Sequence, residues 1–245
     1  MVLNEARDRS VRNMFDRIAG RYDLLNRVIS FRLDAYWRNQ AIRAVLDRQP
    51  PEPTLLDLGA GTGDLTFAAL KTTGRRARIV GLDFSRQMLQ LAQAKKRTIP
   101  DGEKAFFVLG SALCSPFRDA VFDGVMTAFV LRNVSDLSIF FGDAFRVIKN
   151  GGKLVSLDMF PPSATLFAQM YGLYFYQIVP WIGGILAGDR SAYGYLSQSV
   201  RDFHAPEAVS ELIHNAGFTR VTLKKYLDGA VCLHVAEKNG TFSRS

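Results

Sequence analysis

The chain has 245 residues, of which 48% are hydrophobic and 22% are charged; this is the length and composition of one globular domain, with or without insertions. The formal net charge of +8 indicates an anionic partner, such as nucleic acid, a membrane surface or an acidic ligand. The two cysteines, Cys114 and Cys232, lie outside any Cys/His cluster, which argues against a disulfide framework and a zinc site. A cytoplasmic setting without metal is therefore expected, and residues 1–12 lack the apolar core of a secretory signal.

Hydrophobic periodicity predicts an N-terminal helical cap over residues 1–50 and an α/β domain over residues 51–245. In the second part, short apolar runs alternate with amphipathic stretches, which is typical of parallel strands with helices on both faces. The cap helices, two or three in number, are predicted at 5–19, 24–30 and 34–47. The predicted strands are 54–58, 77–82, 105–109, 121–128, 152–158, 218–227 and 230–237, and the predicted helices between them are 64–71, 85–96, 136–149 and 206–215.

The end of the chain distinguishes between two kinds of doubly wound sheet. The last two predicted strands meet at Asp228-Gly229, a dipeptide typical of tight hairpins. A dinucleotide-binding fold would continue with parallel strands, whereas this chain ends in an antiparallel pair. We therefore predict an α/β fold with a seven-stranded, Rossmann-like sheet of the class I methyltransferase type, with a helical lid inserted at about residues 160–200.

A glycine-rich turn follows the first predicted strand, where glycines let the backbone approach a ligand and the next helix offers free N–H groups. The dinucleotide fingerprint needs a third glycine where this chain has Asp64, whose charge would oppose a pyrophosphate. The turn suits an adenosyl amino acid instead, with Asp57 toward its ammonium and Thr62 near its carboxylate. The glycines are Gly59, Gly61 and Gly63.

Asp83 follows the second predicted strand, about 20 residues after the loop, which is the offset of an acid that binds ribose hydroxyls. The loop, this acid and the terminal hairpin together indicate S-adenosylmethionine as the cofactor.

An uncharged stretch covers residues 159–188 and is rich in aromatic side chains between Phe160 and Trp181. Prolines, glutamines and glycines interrupt it, so we predict helices that cover an apolar site and contact a membrane surface, rather than a membrane-spanning helix.

Three stretches resemble the family that methylates a ring carbon in menaquinone and ubiquinone biosynthesis. They are FDRIAGRYDLLN at 15–26, LRNVSD at 131–136 and RVIKNGG at 146–152. The resemblance implies methyl transfer from S-adenosylmethionine to a polyprenyl quinol, in the first place demethylmenaquinol. It also places Ser111 and Ala112 against the adenine, where the family usually has Gly-Asp-Ala and this chain has Gly110-Ser111-Ala112.

A ring carbon becomes nucleophilic when the neighbouring hydroxyl loses its proton, which costs about 4 kcal/mol at pH 7 for a phenol-like pKa near 10. A nearby cation lowers such a pKa by about 1–3 units, and Arg132, just after the fourth predicted strand, is the predicted catalytic cation. Tyr22, Asp23 and Asp158 are predicted to order the ring or to accept the proton.

The basic surface and an apolar substrate predict peripheral contact with anionic lipid at the inner face of the plasma membrane; a homodimer stays open. Four other functions stay open as well: methylation of a ubiquinone-pathway benzoquinol, methylation of a small soluble aromatic acceptor, RNA methylation, and cofactor binding without catalysis. Amino methylation of bases usually requires an Asn/Asp-Pro-Pro-aromatic motif after the fourth strand, where this chain reads AFVL at 128–131. A nucleic-acid partner is therefore not expected.

Overall fold

The computed structural model describes residues 5–161, 172–179 and 190–239. The helices are α1 (Glu5–Ile29), α2 (Leu33–Leu46), α3 (Asp64–Thr72), α4 (Arg86–Lys96), α5 (Leu137–Val147), α6 (Arg190–Arg201) and α7 (Pro206–Asn215), with a π-helical turn at Tyr174–Ile178. The strands are β1 (Thr54–Leu58), β2 (Arg78–Asp83), β3 (Ala105–Leu109), β4 (Phe122–Ala128), β5 (Ile148–Met159), β6 (Thr219–Tyr226) and β7 (Val231–Glu237).

The seven strands form one sheet in the order β3-β2-β1-β4-β5-β7-β6. The first five strands pair in parallel, and β7 pairs antiparallel with both β5 and β6. This arrangement confirms the predicted fold class. The strand order reverses between β1 and β4, so a ligand crevice is expected at their carboxyl ends.

Helices cover both faces of the sheet, each over its own hydrophobic cluster. One cluster joins the strands to α5 and α7 through residues such as Phe140 and Ile213. The other joins them to α2 and α3 through residues such as Ile42 and Leu70. Since α2 belongs to this second cluster, the N-terminal region contributes directly to the core of the α/β unit.

Two predicted boundaries were wrong. α1 runs without a break through residues 19–24, because its buried side chains Ile18, Leu25 and Ile29 continue at helical spacing on one face. α5 ends at Val147, and the four residues after it join β5 instead of extending the helix. This longer strand is possible because Ile148 pairs with Phe122 across an irregularity in the β4–β5 ladder.

The hairpin prediction was correct. Leu227, Asp228 and Gly229 have φ values of 46°, 54° and 91°, the left-handed conformations that let the chain reverse between β6 and β7.

The predicted lid at about residues 160–200 lies partly outside the described residues, since 162–171 and 180–189 are not described. Its described parts include the π-helical turn and most of α6, and both are helical. In the described parts of the chain, no helix combines the length and the apolar character needed to cross a membrane.

Candidate active site

The glycine-rich loop is held between the ends of β2 and β4. Gly59 N and Ala60 N donate hydrogen bonds to Leu82 O at 2.8 and 3.0 Å. Gly59 has a φ of 76°, and a Cβ atom there would lie 2.4 Å from Val130 Cγ2. Only glycine fits, because the left-handed backbone and the close approach both exclude a side chain.

Asp83 closes the loop from the β2 side. Its Oδ2 accepts a hydrogen bond from Gly61 N and its Oδ1 accepts one from Ser85 N, both at 2.8 Å. Burial raises the pKa of Asp83 to about 6, although backbone N–H groups of Ser85, Gly61 and Phe84 act in the opposite direction. Each carboxylate oxygen retains a lone pair that can accept from a ribose hydroxyl.

A cavity of about 550 Å³ lies between this loop and α1, a size that suits a small-molecule cofactor. Arg38 lines the cavity and pairs with Asp34 at 3.7 Å. The atom in this pair is the buried Nε, which has no hydrogen-bond partner among the described residues. A guanidinium on the wall of the cavity is the kind of group that binds a carboxylate. The predicted cofactor residues on the wall are Gly59, Gly61, Thr62, Asp83, Ser111 and Ala112.

A second cavity, of about 360 Å³, adjoins the first. Phe15, Tyr22, Phe129 and Asn133 line both cavities. The rest of the second wall is mainly apolar, and includes Met14, Ile18, Ile29, Phe31, Leu33, Trp37, Met159, Ala192, Leu196 and Leu227. This cavity can therefore hold an apolar ring beside a ligand in the first cavity.

A buried ion pair stands at the wall of the second cavity. Arg132 Nε donates to Asp158 Oδ1 at 2.6 Å, and the two side chains are 3% and 0% exposed. Asp158 also accepts from Leu131 N and Met159 N, both at 2.7 Å. Arg132 Nη1 lies 3.5 Å from Ser199 Oγ. Arg132 lines the cavity and Asp158 is not among the described lining residues, so the carboxylate orients the guanidinium from behind.

Tyr22 lies where the two cavities meet. Burial raises the pKa of its hydroxyl, although Asn26, Arg38 and Arg132 act in the opposite direction. The hydroxyl therefore carries its proton at neutral pH and can donate a hydrogen bond to a ligand.

Asp23 belongs to a polar cluster that joins α1 to the cofactor loop. Thr62 Oγ1 donates to Asp23 Oδ1 at 2.5 Å. Lys95 Nζ pairs with Asp23 Oδ2 at 2.5 Å and with Asp64 Oδ1 at 2.7 Å, and donates to Thr62 Oγ1 at 3.0 Å. We call these four residues the α1 clasp. Asp23 is not among the described residues that line either cavity, and its predicted contact with the acceptor stays a prediction.

A second link lies nearer the start of α1, where Ser85 Oγ donates to Asp16 Oδ1 at 2.5 Å. Ser85 also caps α4 by accepting from Met88 N at 3.1 Å. The clasp and this link hold α1 over the cofactor cavity.

Two predicted cofactor residues lie off the cavity wall. Asp57 is buried in β1 and accepts a hydrogen bond from Thr66 Oγ1 at 2.6 Å; burial raises its pKa to about 7. Gly63 donates its N–H to Ala60 O at 2.9 Å. Neither is among the described residues that line the cavity, and their contact with a cofactor stays a prediction.

Sequence reasoning missed several wall residues. Arg9 and Arg12 lie three positions apart on α1 and line the cofactor cavity. This spacing places two basic side chains on one helix face, and it is the sequence pattern that could have identified them. Asn133 follows Arg132 in a stretch already singled out, and it lines both cavities. Tyr195 lines the second cavity, and its buried hydroxyl has no partner among the described residues. No sequence pattern pointed to Tyr195.

Among the described side chains, no group of three or more His, Cys, Asp and Glu is placed to hold a metal ion. Both cysteines have free thiols, with Cys114 exposed and Cys232 buried.

The chain matches the ubiE/COQ5 methyltransferase family over residues 1–238. It is 40% identical over 225 residues to a demethylmenaquinone methyltransferase of Thermus thermophilus, covering 92% of this chain and 100% of that relative. It is 38% identical over 224 residues to the ubiquinone/menaquinone biosynthesis C-methyltransferase UbiE of Desulfotalea psychrophila, covering 91% of this chain and 88% of that relative. A solved structure of Haemonchus contortus phosphoethanolamine N-methyltransferase 2 with S-adenosylmethionine shares the fold, with a TM-score of 0.63, 18% identity, and coverage of 94% of this chain and 60% of that one.

Proposed function

The chain belongs to the ubiE/COQ5 methyltransferase family, and on that premise we propose that it methylates a ring carbon of a polyprenyl quinol, converting demethylmenaquinol to menaquinol. It is an S-adenosylmethionine-dependent C-methyltransferase. The Gly59–Thr62 backbone and Asp83 would hold this cofactor, and Arg38 fits its carboxylate. When bound, S-adenosylmethionine supplies an electrophilic methyl group.

The adjoining apolar cavity is the observation that carries the choice of acceptor. Methyl transfer requires the donor and acceptor atoms to be about 3–3.5 Å apart and aligned. The four residues shared by the two cavities, Phe15, Tyr22, Phe129 and Asn133, make that approach possible. The mainly apolar wall suits a quinol ring and the start of its tail better than a charged or strongly polar acceptor.

Arg132 is the proposed catalytic cation. Its guanidinium lines the apolar cavity, where a charge acts more strongly than in water. It would favour the ionised hydroxyl of the quinol and so raise the electron density on the neighbouring carbon. Asp158 is a positioning residue in this proposal, because it holds Arg132 from a fully buried position.

The proton of the quinol is the remaining chemical requirement. Tyr22 would order the ring by donating a hydrogen bond, since its raised pKa keeps the hydroxyl protonated. Asp23 would act indirectly, by holding the cofactor loop through Thr62. Water in the cavity would then take the hydroxyl proton. After methyl transfer the methylated ring carbon must also lose its hydrogen as a proton, which restores the aromatic ring of the quinol.

We also propose peripheral association with anionic membrane, at the inner face of the plasma membrane, since a polyprenyl tail keeps the acceptor there.

A homodimer remains a proposal that light scattering can test. The boundary between a helical cap at 1–50 and a methyltransferase domain at 51–245 is likewise a proposal, and so is the lid at about 160–200.

The proposed function is tested by incubating the chain with labelled S-adenosylmethionine and three acceptors. These are a reduced demethylated naphthoquinol in detergent, a benzoquinol and bulk RNA. Label in the naphthoquinol alone supports the proposal, and label in the benzoquinol would move the enzyme to the ubiquinone route. Label in RNA, or no label while the cofactor still binds, would contradict it.

A further inference from the structure

The surface beside the apolar cavity exposes several large apolar side chains. Leu24 and Val28, one helical turn apart on α1, are 55% and 37% exposed, and Phe31, just past the helix, is 71% exposed. Leu173 is 56% exposed, and the ring of its neighbour Tyr174 lies 5.4 Å from that of Phe31. We call Leu24, Val28, Phe31 and Leu173 the apolar face.

The apolar face continues into the second cavity. Phe31 and Tyr174 both line that cavity, and the Tyr174 hydroxyl donates to Ile29 O at 3.0 Å. An apolar tail that leaves the cavity past Phe31 would therefore meet the apolar face. Contiguous exposed apolar surface is uncommon in a soluble domain and marks an interaction site.

The exposed charges on the segment of chain that carries Leu24, Val28 and Phe31 have one sign. Between residues 17 and 46, the exposed charged side chains are all arginines, namely Arg17, Arg21, Arg27, Arg32 and Arg43. The two aspartates of this segment are less exposed and ion-paired, Asp23 with Lys95 and Asp34 with Arg38. An apolar surface bordered by arginines complements the anionic headgroups and acyl chains of a bilayer.

We propose that the apolar face docks on a bilayer that contains anionic lipid. Leu24, Val28 and Phe31 enter the boundary between headgroups and acyl chains, and Arg27 and Arg32 meet lipid phosphates. The quinol then enters the second cavity from the bilayer without its tail crossing water. The delivery step rests on the proposed function, whereas the docking can be measured without it.

Two variants test the docking by vesicle flotation. Leu24→Gln/Val28→Gln removes apolar surface and Arg27→Gln/Arg32→Gln removes charge, and none of these residues lines either cavity. The matched control is Phe106→Gln, because Phe106 is a large apolar side chain that is 48% exposed and belongs neither to the apolar face nor to either cavity wall. We expect both variants to bind phosphatidylglycerol-containing vesicles about tenfold more weakly or worse, with the control unchanged. Thermal unfolding checks that all three remain folded.

Methylation of two acceptors separates docking from catalysis. With a short-tailed, water-soluble demethylated quinol, the variants should keep the parent kcat/KM within about twofold. With a long-tailed quinol in the same vesicles, their kcat/KM should fall by about tenfold or more.

If the parent methylates neither acceptor, the proposed function fails while flotation still tests the docking. Parent protein that does not float, or variants that float like the control, would overturn the docking. If the same variants halve the molar mass measured by light scattering, the apolar face is a contact between two copies of the chain. That result would also overturn the docking.

Discussion

At the scale of single residues, Asp83 provides a pH-dependent test of cofactor binding. Its pKa is raised to about 6, so the carboxylate is ionised at pH 7.5 and becomes protonated as the pH falls below 6. Protonation removes hydrogen-bond acceptors for the ribose hydroxyls. We therefore expect the affinity for S-adenosylmethionine to be constant above about pH 7 and to fall by up to about tenfold per pH unit below pH 6. Calorimetric titrations between pH 5 and 8 measure this.

The matched variants are Asp83→Asn and Asp57→Asn. The first should weaken cofactor binding by about 10- to 100-fold, as for a lost charged hydrogen bond, and should remove the pH dependence below pH 6. Asp57 lies off the cavity wall with its own hydrogen bond from Thr66, so the second variant should keep the pH dependence. Equal loss of affinity in the two variants would assign Asp57 to the cofactor as well.

Arg132 should be important for stability as well as for catalysis. Arg132→Met leaves the Asp158 carboxylate buried without its cation, and we expect a loss of about 3–5 kcal/mol in the free energy of unfolding. The double variant Arg132→Met/Asp158→Asn removes the buried charge and keeps an acceptor for Leu131 N, so it should recover much of this loss in urea titrations while methylation remains absent. A loss below about 1 kcal/mol in the single variant would show that this pair stabilises the fold no more than an exposed ion pair does.

Tyr195 offers a hydroxyl whose removal should change activity without changing stability. Because that hydroxyl has no partner among the described residues, Tyr195→Phe should leave the unfolding midpoint unchanged. It should lower kcat/KM for the quinol by about fivefold to tenfold if a ring oxygen accepts its hydrogen bond. Tyr226→Phe is the control, since its hydroxyl is also buried without a described partner but lies outside both cavity walls. With an acceptor that has one hydroxyl fewer, the effect of Tyr195→Phe should disappear.

At the scale of elements, the α1 clasp should control how fast the cofactor leaves. Lys95 is 29% exposed and joins Asp23, Thr62 and Asp64. Its ion pairs are therefore partly screened, and Lys95→Met should cost no more than about 1 kcal/mol of stability. Looser attachment of α1 should raise the dissociation rate of S-adenosylmethionine by about threefold to tenfold. Stopped-flow fluorescence measures this rate.

The control for the clasp is Lys104→Met, which removes a partly exposed lysine that pairs with Asp101 and donates to Arg75 O. Lys104 lines neither cavity, so this variant should leave the dissociation rate unchanged. A Lys95→Met rate equal to that of the control would show that the clasp does not restrain α1.

The strands were largely predictable because their apolar runs end at strong turn signals. β1 and β3 have the predicted bounds, and β7 begins within one residue of its prediction. The predicted break in α1 failed because polar residues around Gly20 look like a connection, although the buried stripe continues from Ile18 to Leu25. The predicted start of β5 was wrong because Asn150-Gly151 is a typical helix stop. Only the pairing of Ile148 with β4 and the hydrogen bond from Gly151 N to Lys238 O show that this segment lies in a strand.

At the scale of the whole molecule, the packing of α2 decides how far the N-terminal region is separable. Trp37, Ile42 and Val45 are at most 5% exposed in the cluster under the sheet. Their burial contributes roughly 5–9 kcal/mol, which is comparable to the whole stability of a domain. We expect a chain that begins at residue 51 to lose cooperative unfolding, as measured by circular dichroism.

A chain that begins at residue 31 should behave differently, because it keeps α2 and loses only α1. It should unfold cooperatively and bind S-adenosylmethionine weakly, since Asp16, Tyr22 and Asp23 are gone. Cooperative unfolding of the shorter chain that begins at residue 51 would make the first 50 residues a separate cap, as the sequence suggested.

The site could be predicted from sequence only where its parts are close in the chain. The glycine loop and Asp83 share one βαβ unit, and their spacing is sufficient to identify them. The acceptor cavity is assembled from α1, α2 and α6, and contacts such as Tyr174 with Ile29 span 145 positions. Such distant contacts depend on how helices pack over the sheet, which the local pattern of residues does not specify.

The unbroken α1 helix connects cofactor binding to membrane binding. Its 25 residues span about 37 Å, with the clasp to the cofactor loop and the proposed bilayer contacts on the same helix. If the cofactor and the lipid both bind better to the same position of this helix, each raises the affinity for the other. At equilibrium the coupling is reciprocal. The factor by which the bound cofactor strengthens lipid binding must equal the factor by which lipid strengthens cofactor binding. A membrane would then act as an allosteric effector that retains the cofactor-bound enzyme longer than the cofactor-free one.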